Sequence, residues 1–177
     1  MAMVPITRPA LDDAETAAVA EVLASGMLVQ GPRVAAFEEA VREVVGTRHA
    51  VSVNNCTVAL EVSLRAMGIG PGDLVLVTPY SWVTTVNVIE IVGAQPVFVD
   101  IDPHHFNMSA TELTATLARL SAAGLSTRVK AILPVYTFGN LAGIEDVLAI
   151  AKAAGIAVLE DAACAIGAET ASGMAGA

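Results

Sequence analysis

The apolar run Ile156-Ala157-Val158-Leu159 ends in two carboxylates, and the second of them, Asp161, is the residue best placed to do chemistry in this chain. A strand that closes on Glu160-Asp161 brings charge to the C-terminal edge of a sheet, where open α/β folds bind their ligands. A carboxylate withdrawn from water there without a cationic partner costs several kcal/mol or takes up a proton. A cofactor nitrogen, a metal or a basic side chain is therefore expected opposite Asp161, although a plain helix N-cap would also use an aspartate here. Two more strand ends carry polar clusters. Asn54-Asn55-Cys56-Thr57 joins a strand to a helix, and the free N–H groups and threonine hydroxyl of such a turn suit a dianionic phosphate. Capping by Asn55 alone is the simpler reading of that turn. Pro79-Tyr80-Ser81-Trp82-Val83-Thr84-Thr85 sets the chain's one tryptophan at the start of a helix, where its ring can stack on a flat ligand or fill a core.

Taken together, a phosphate cradle, a stacking ring and a buried anion call for an aromatic cofactor that carries a phosphate and a protonated ring nitrogen. Pyridoxal phosphate has these three features, and a carboxylate that holds its nitrogen protonated makes the ring an electron sink. The candidate cofactor-binding residues read from this pattern are Cys56, Thr57, Trp82 and Asp161.

These residues need a scaffold, and the patterning supplies one. Asp12 caps a helix that runs to Gly26 through Val19, Val22 and Leu23. Gly31-Pro32 opens a second, with an inner stripe of Val34, Phe37, Val41 and Val44 and a stop at Gly46. Strands are then expected over 49–53, 74–77, 96–100, 130–135 and 156–160. Helices are expected over 57–67, from 81 or 82 to 92, over 111–120 behind a capping box at Ser109, and over 144–154. Val-, Ile- and Leu-rich strands that alternate with amphipathic helices imply an α/β fold with a mostly parallel sheet covered on both faces. We expect a helical segment over residues 1–48 and an α/β domain over 49–177. Strand order is not legible at this level.

Composition excludes several classes. With 177 residues the chain fits one domain able to bury roughly 70% of its unfolded surface. A net charge of −9 with nine scattered Lys and Arg argues against a nucleic-acid partner, since phosphate binding needs clustered cations. No apolar stretch reaches the ~20 residues that span a bilayer, and Met1 to Arg8 lacks the pattern of a secretory leader, so a cytoplasmic protein is expected. Cys56 and Cys164 have no metal-type spacing and are expected as free thiols. Gly68-Ile69-Gly70-Pro71-Gly72-Asp73 follows a helix and precedes a strand, the reverse of a phosphate loop, and reads as a turn. His104-His105 follows Asp102-Pro103 without a third ligand and reads as a solvated turn; no metal is expected. An apolar fraction of 55% points to surface meant for another chain or domain.

The wording of several segments resembles a known family. Ser25-Gly26-Met27-Leu28-Val29-Gln30-Gly31-Pro32-Arg33-Val34, the turn at Gly68 to Asp73, Gly93-Ala94-Gln95-Pro96-Val97-Phe98-Val99-Asp100 and Glu160-Asp161-Ala162-Ala163 are similar to the DegT/DnrJ/EryC1/StrS aminotransferases over nearly the whole chain. The resemblance implies the large domain of a fold-type I, aspartate-aminotransferase-like enzyme, truncated. It also implies pyridoxal phosphate and amino transfer from glutamate or glutamine to a nucleotide-linked keto sugar or a keto cyclitol, in a homodimer. Carried over, Cys56 and Thr57 hold the phosphate, Trp82 stacks on the ring, Asp161 pairs with the ring nitrogen, and Cys164 stands where the family has a glutamine near the phenolic oxygen. Departures are Asn55-Cys56-Thr57 in place of Ser-Gly-Thr, Tyr136 in place of a histidine in the Pro134-Val135 segment, and Ile166 in place of another histidine. The family's Schiff-base lysine follows the aspartate at a position this sequence does not reach, and neither Lys130 nor Lys152 matches it. The chain therefore reads as the N-terminal part of a longer enzyme, inactive by itself. The alternative is a cofactor-binding module with no activity.

Overall fold

The structure is a computed structural model that describes residues 8–170 and 173–177; residues 1–7 of the expected N-terminal helical segment and residues 171 and 172 of the expected α/β domain lie outside them. Helix α1 (Asp13–Ser25) starts with a complete capping box, in which Asp12 accepts from Ala14 and Glu15 reaches back to the Asp12 N–H. It stops at Gly26, whose φ of 69° is one that L-residues seldom adopt. Helix α2 (Pro32–Val45) begins with proline at its first position. Neither helix contains a buried residue, and the stripe expected to face inward is only partly covered: Val34 and Val41 are half-buried, whereas Phe37 and Val44 are exposed. The expected period of 3.6 is that of both helices.

From residue 56 onward, helix and strand alternate. Helix α3 (Cys56–Ala66) leads to β1 (Leu74–Val77), α4 (Thr84–Ile91) to β2 (Gln95–Phe98), α5 (Ala110–Ala122) to β3 (Val129–Leu133), and α6 (Ile144–Ala154) to β4 (Ala157–Val158). The four strands form one parallel sheet in the order β2-β1-β3-β4. A short antiparallel pair, β5 (Glu169–Thr170) and β6 (Gly173–Met174), follows. All four residues of β1 are buried, as expected for a central strand covered on both faces. Its side chains alternate. Val75 and Val77 pack with Leu60 and Leu64 of α3 and Val88 and Ile89 of α4. Leu74 and Leu76 pack on the opposite face with Leu113 of α5 and Val147 and Ala151 of α6.

Three sequence expectations need correction. Residues 49–53 form no strand. A strand needs a ladder partner, and none of the described strands pairs with this segment; instead the Ser52 N–H donates to Glu38 Oε1 at 2.8 Å, and Val51 is exposed. Helix α4 starts at Thr84, two residues beyond Trp82, because Pro79 to Val83 make an irregular turn first. At Ser109 only half of the capping box forms: the serine hydroxyl accepts from Glu112 N–H, while the Ser109 N–H donates to the Asp100 carbonyl. No helix of the described residues is long and apolar enough to cross a membrane.

Candidate active site

The strand order fixes where a ligand can sit. From β1 the chain crosses to β2 on one side, whereas β3 and β4 continue on the other, so the connections diverge between β1 and β3. The loops leaving the C-terminal ends of β1 and β3 separate there and leave a crevice. A cavity of about 420 Å³ occupies that position, lined by Tyr80, Ser81 and Trp82 after β1, by Tyr136 and Phe138 after β3, and by Asp161 and Cys164 after β4.

Asp161 is held by its backbone before its side chain is considered. The Tyr136 N–H donates to the Asp161 carbonyl at 3.1 Å and the Asp161 N–H donates to the Pro134 carbonyl at 3.0 Å, which extends the β3–β4 pairing past β4. Its side chain is 7% exposed and accepts three hydrogen bonds: from Thr85 Oγ1 at 2.9 Å, from Ala163 N–H at 3.3 Å, and from Cys56 Sγ at 3.7 Å. Because the Thr85 proton goes to the carboxylate, the Ser81 hydroxyl 2.9 Å away must donate to Thr85. The result is a directed chain, Ser81 to Thr85 to Asp161. All three donors to Asp161 are neutral, and among the described residues it forms no ion pair. A buried carboxylate so arranged, at the floor of a crevice, is complementary to a cationic ligand group.

Cys56 ties the first turn of α3 to this carboxylate. Asn55 caps α3 by accepting from Val58 N–H at 3.0 Å, which uses one of the orphan donors of the turn and leaves the N–H groups of Cys56 and Thr57 free of capping. Burial, and then the adjacent Asp161 charge, push the Cys56 thiol up to about 11. The thiol therefore remains a neutral donor at neutral pH. Iodoacetamide labelling followed by peptide mass analysis checks this: Cys56 should alkylate slowly at pH 8 and speed up only as the pH approaches 11. Asp161→Asn, which removes the repelling charge, should move that rise to lower pH.

The sequence-derived candidates are placed as follows. Asp161, Trp82 and Cys164 line one cavity, and Cys56 touches Asp161 from α3. Thr57, half-buried, adjoins Cys56 in the first turn of α3 and does not line the cavity. Trp82 is 79% exposed, so it fills no core. Tyr136, which stands in place of a histidine, is buried and donates its hydroxyl to Glu160, which also accepts from Gly176 N–H. Burial and the Glu160 charge push its phenol well above the ordinary tyrosine range, so it remains protonated. Ser81 and Thr85 belong to the polar cluster expected after β1, but the sequence reading gave neither a role; the structure joins both to Asp161. Their four-residue spacing at the entry to α4, the side-by-side interval of a helix turn, was the available signal.

A parallel sheet flanked by helices, with its ligand-lining loops at the divergence of the strand connections, is the architecture of the large domain of fold-type I aminotransferases. Within that class, the chain belongs to the DegT/DnrJ/EryC1/StrS aminotransferase family, whose model matches residues 9–177. Among solved structures it is similar to a DegT DnrJ EryC1 StrS aminotransferase from Brucella abortus, at 39% identity and a TM-score of 0.86 over 93% of this chain and 44% of that one. It is also similar to the aminotransferase TlmJ from Streptoalloteichus hindustanus, at 35% identity and a TM-score of 0.86 over 99% of this chain and 46% of that one. DesV from S. venezuelae, solved in complex with a ketimine intermediate, matches at 34% identity and a TM-score of 0.81 over 93% of this chain and 43% of that one. The chain thus spans under half the length of these structures.

Proposed function

We propose that this chain carries the cofactor-binding part of a pyridoxal-phosphate-dependent aminotransferase that moves an amino group from glutamate or glutamine to a keto sugar, nucleotide-linked, or to a keto cyclitol. The observation that carries the reading is the buried Asp161 carboxylate, supplied only with neutral donors and set at the floor of the crevice. When bound, the pyridoxal ring supplies an electron sink for chemistry at a substrate carbon. Asp161 holds the proton on the ring nitrogen, and Thr85 with Ser81 orients the carboxylate that does so. Trp82 covers a ring face and excludes water from it. The free N–H groups of Cys56 and Thr57, with the Thr57 hydroxyl, bind the phosphate at the positive end of α3. Cys164, on the wall of the crevice, would stand toward the cofactor's phenolic oxygen, as the resemblance implies. The exposed apolar side chains of α1 and α2, among them Val19, Leu23 and Phe37, support a homodimer. The two free thiols accord with the reducing cytoplasm.

Trp82 is the only tryptophan, so its emission reports on the crevice without interference. Titrating pyridoxal phosphate into the chain should quench that emission saturably, and inorganic phosphate should compete. Absence of saturable quenching, with no binding by equilibrium dialysis, would sink the proposal.

A further inference from the structure

Only two residues other than glycine adopt positive φ among the described residues, and both are phenylalanines: Phe106 at 64° and Phe138 at 56°. A bulky side chain in the left-handed region is strained and persists only where its surroundings over-determine it. Here they do. Asn107, fully buried, donates through Nδ2 to the carbonyls of Asn140 and Ala142 at 2.8 and 2.9 Å, and accepts through Oδ1 from the Thr137 N–H at 2.9 Å. Thr137 Oγ1 donates to the Phe106 carbonyl at 3.1 Å. The loop after β2 and the loop after β3 are thereby stapled together, with one strained phenylalanine on each.

The product of that strain is an aromatic cluster. The ring of Tyr80, from the loop after β1, lies 5.7 Å from Phe106 and 6.5 Å from Phe138, and the two phenylalanines lie 6.5 Å apart, edge to face. Core packing would bury these rings, yet Phe138 is 76% exposed and the other two stay well open to solvent. Tyr80 and Phe138 line the crevice, whereas Phe106 stands outside its lining, so the cluster runs outward from the site. Three rings at these spacings accept a further flat ring at the 4.5–7 Å separations of aromatic pairs.

We propose that Tyr80, Phe106 and Phe138 form a stacking platform for the base of a nucleotide-linked amino acceptor, held away from the reacting carbon. The inference rests on the aminotransferase reading and chooses, within it, the nucleotide-linked acceptor over the free cyclitol. A substrate whose second part lies outside the reacting cavity has a use for a platform there; a single small ring has none. The platform itself carries no cation, so its contact is with the base and not with the phosphates.

The test is titration of the chain with uridine, thymidine and adenosine by ligand-observed NMR, with myo-inositol as the cyclitol arm. Stacking of one base on an aromatic side chain predicts a loss of at least about fivefold in nucleoside affinity for Phe138→Asn, with Phe138→Tyr retaining binding. Asparagine accepts the left-handed conformation, so the Tm of Phe138→Asn should equal or exceed that of the wild type. A ring that served packing alone would instead lower Tm and leave nucleoside binding untouched. Nucleoside affinity unchanged in both Phe138→Asn and Phe106→Asn, no saturable nucleoside binding, or equal dependence of myo-inositol on Phe138 would overturn the inference. Quenching of Trp82 by pyridoxal phosphate is read separately: failure of nucleoside binding with that quenching intact refutes the platform alone, and loss of the quenching refutes the cofactor reading.

Discussion

Asp161→Asn is expected to weaken pyridoxal phosphate binding by about 10- to 100-fold while leaving the free chain as stable as the wild type or more so. The binding loss follows from exchanging a charge-assisted hydrogen bond, worth about 1.5–3 kcal/mol, for a neutral one at the ring nitrogen. Coulomb attraction between unit charges about 4 Å apart, near 4 kcal/mol at an effective dielectric of 20, sets the upper bound. The stability result follows from what surrounds the residue. Its three donors are neutral, so the carboxylate loses water without gaining a cation, and the amide is relieved of that cost. An asparagine oxygen can still accept from Cys56 and Ala163, and its NH2 can donate to Thr85 Oγ1, whose proton then turns toward Ser81. Quenching of Trp82 measures the first quantity and thermal unfolding of the cofactor-free chain the second. Unchanged affinity for the cofactor would remove Asp161 from the role assigned to it.

That opposition between stability and binding explains why Asp161 stood out in the sequence while Thr85, its nearest side-chain donor, drew no role of its own. An aspartate at the end of an apolar strand is conspicuous because burial and charge conflict at that one position. Thr85 conflicts with nothing: a threonine in the first turn of a helix is ordinary, and only the fold brings it within 2.9 Å of a residue 76 positions away. Helices were read well from Gly, Pro and capping residues because those signals act within one turn; Asp12, Pro32 and Gly46 each stand where a helix starts or stops. The segment 49–53 misled because alternating valines record a wish for burial and pairing, and a ladder needs a second strand that the local sequence cannot promise. Val51 and Val53 show that wish unmet among the described residues. The strand order, and with it the crevice between β1 and β3, is a property of long-range pairing and left no local trace. Phe106 and Phe138 were invisible for a related reason: phenylalanine has no preference for positive φ, so only the staple at Asn107 reveals what the two loops are built to hold.

The staple can itself be tested, and the expected effect is large. Asn107→Ala removes three hydrogen bonds from a fully buried side chain. Water can reach the loop carbonyls of Asn140 and Ala142, so each of those losses amounts to roughly 0.5–1.5 kcal/mol, whereas the Thr137 N–H is left buried and unsatisfied at about 1–3 kcal/mol. Urea denaturation should therefore show a loss of about 2–6 kcal/mol. The isosteric Asn107→Asp distinguishes a hydrogen-bond staple from simple filling of space. Aspartate retains the acceptor for Thr137 but turns a second acceptor on two carbonyl oxygens and buries a charge, so it should be at least as damaging as alanine. An aspartate tolerated at this position would mean that volume, not donor and acceptor placement, is what the loops require. The coupling follows from the same geometry. If Asn107 is what holds Phe138 in the left-handed region, the strain relief gained by Phe138→Asn should vanish in an Asn107→Ala background, and the two substitutions should fail to add in a double-mutant cycle. Strict additivity would show that each loop keeps its own conformation and that the aromatic rings meet without being made to.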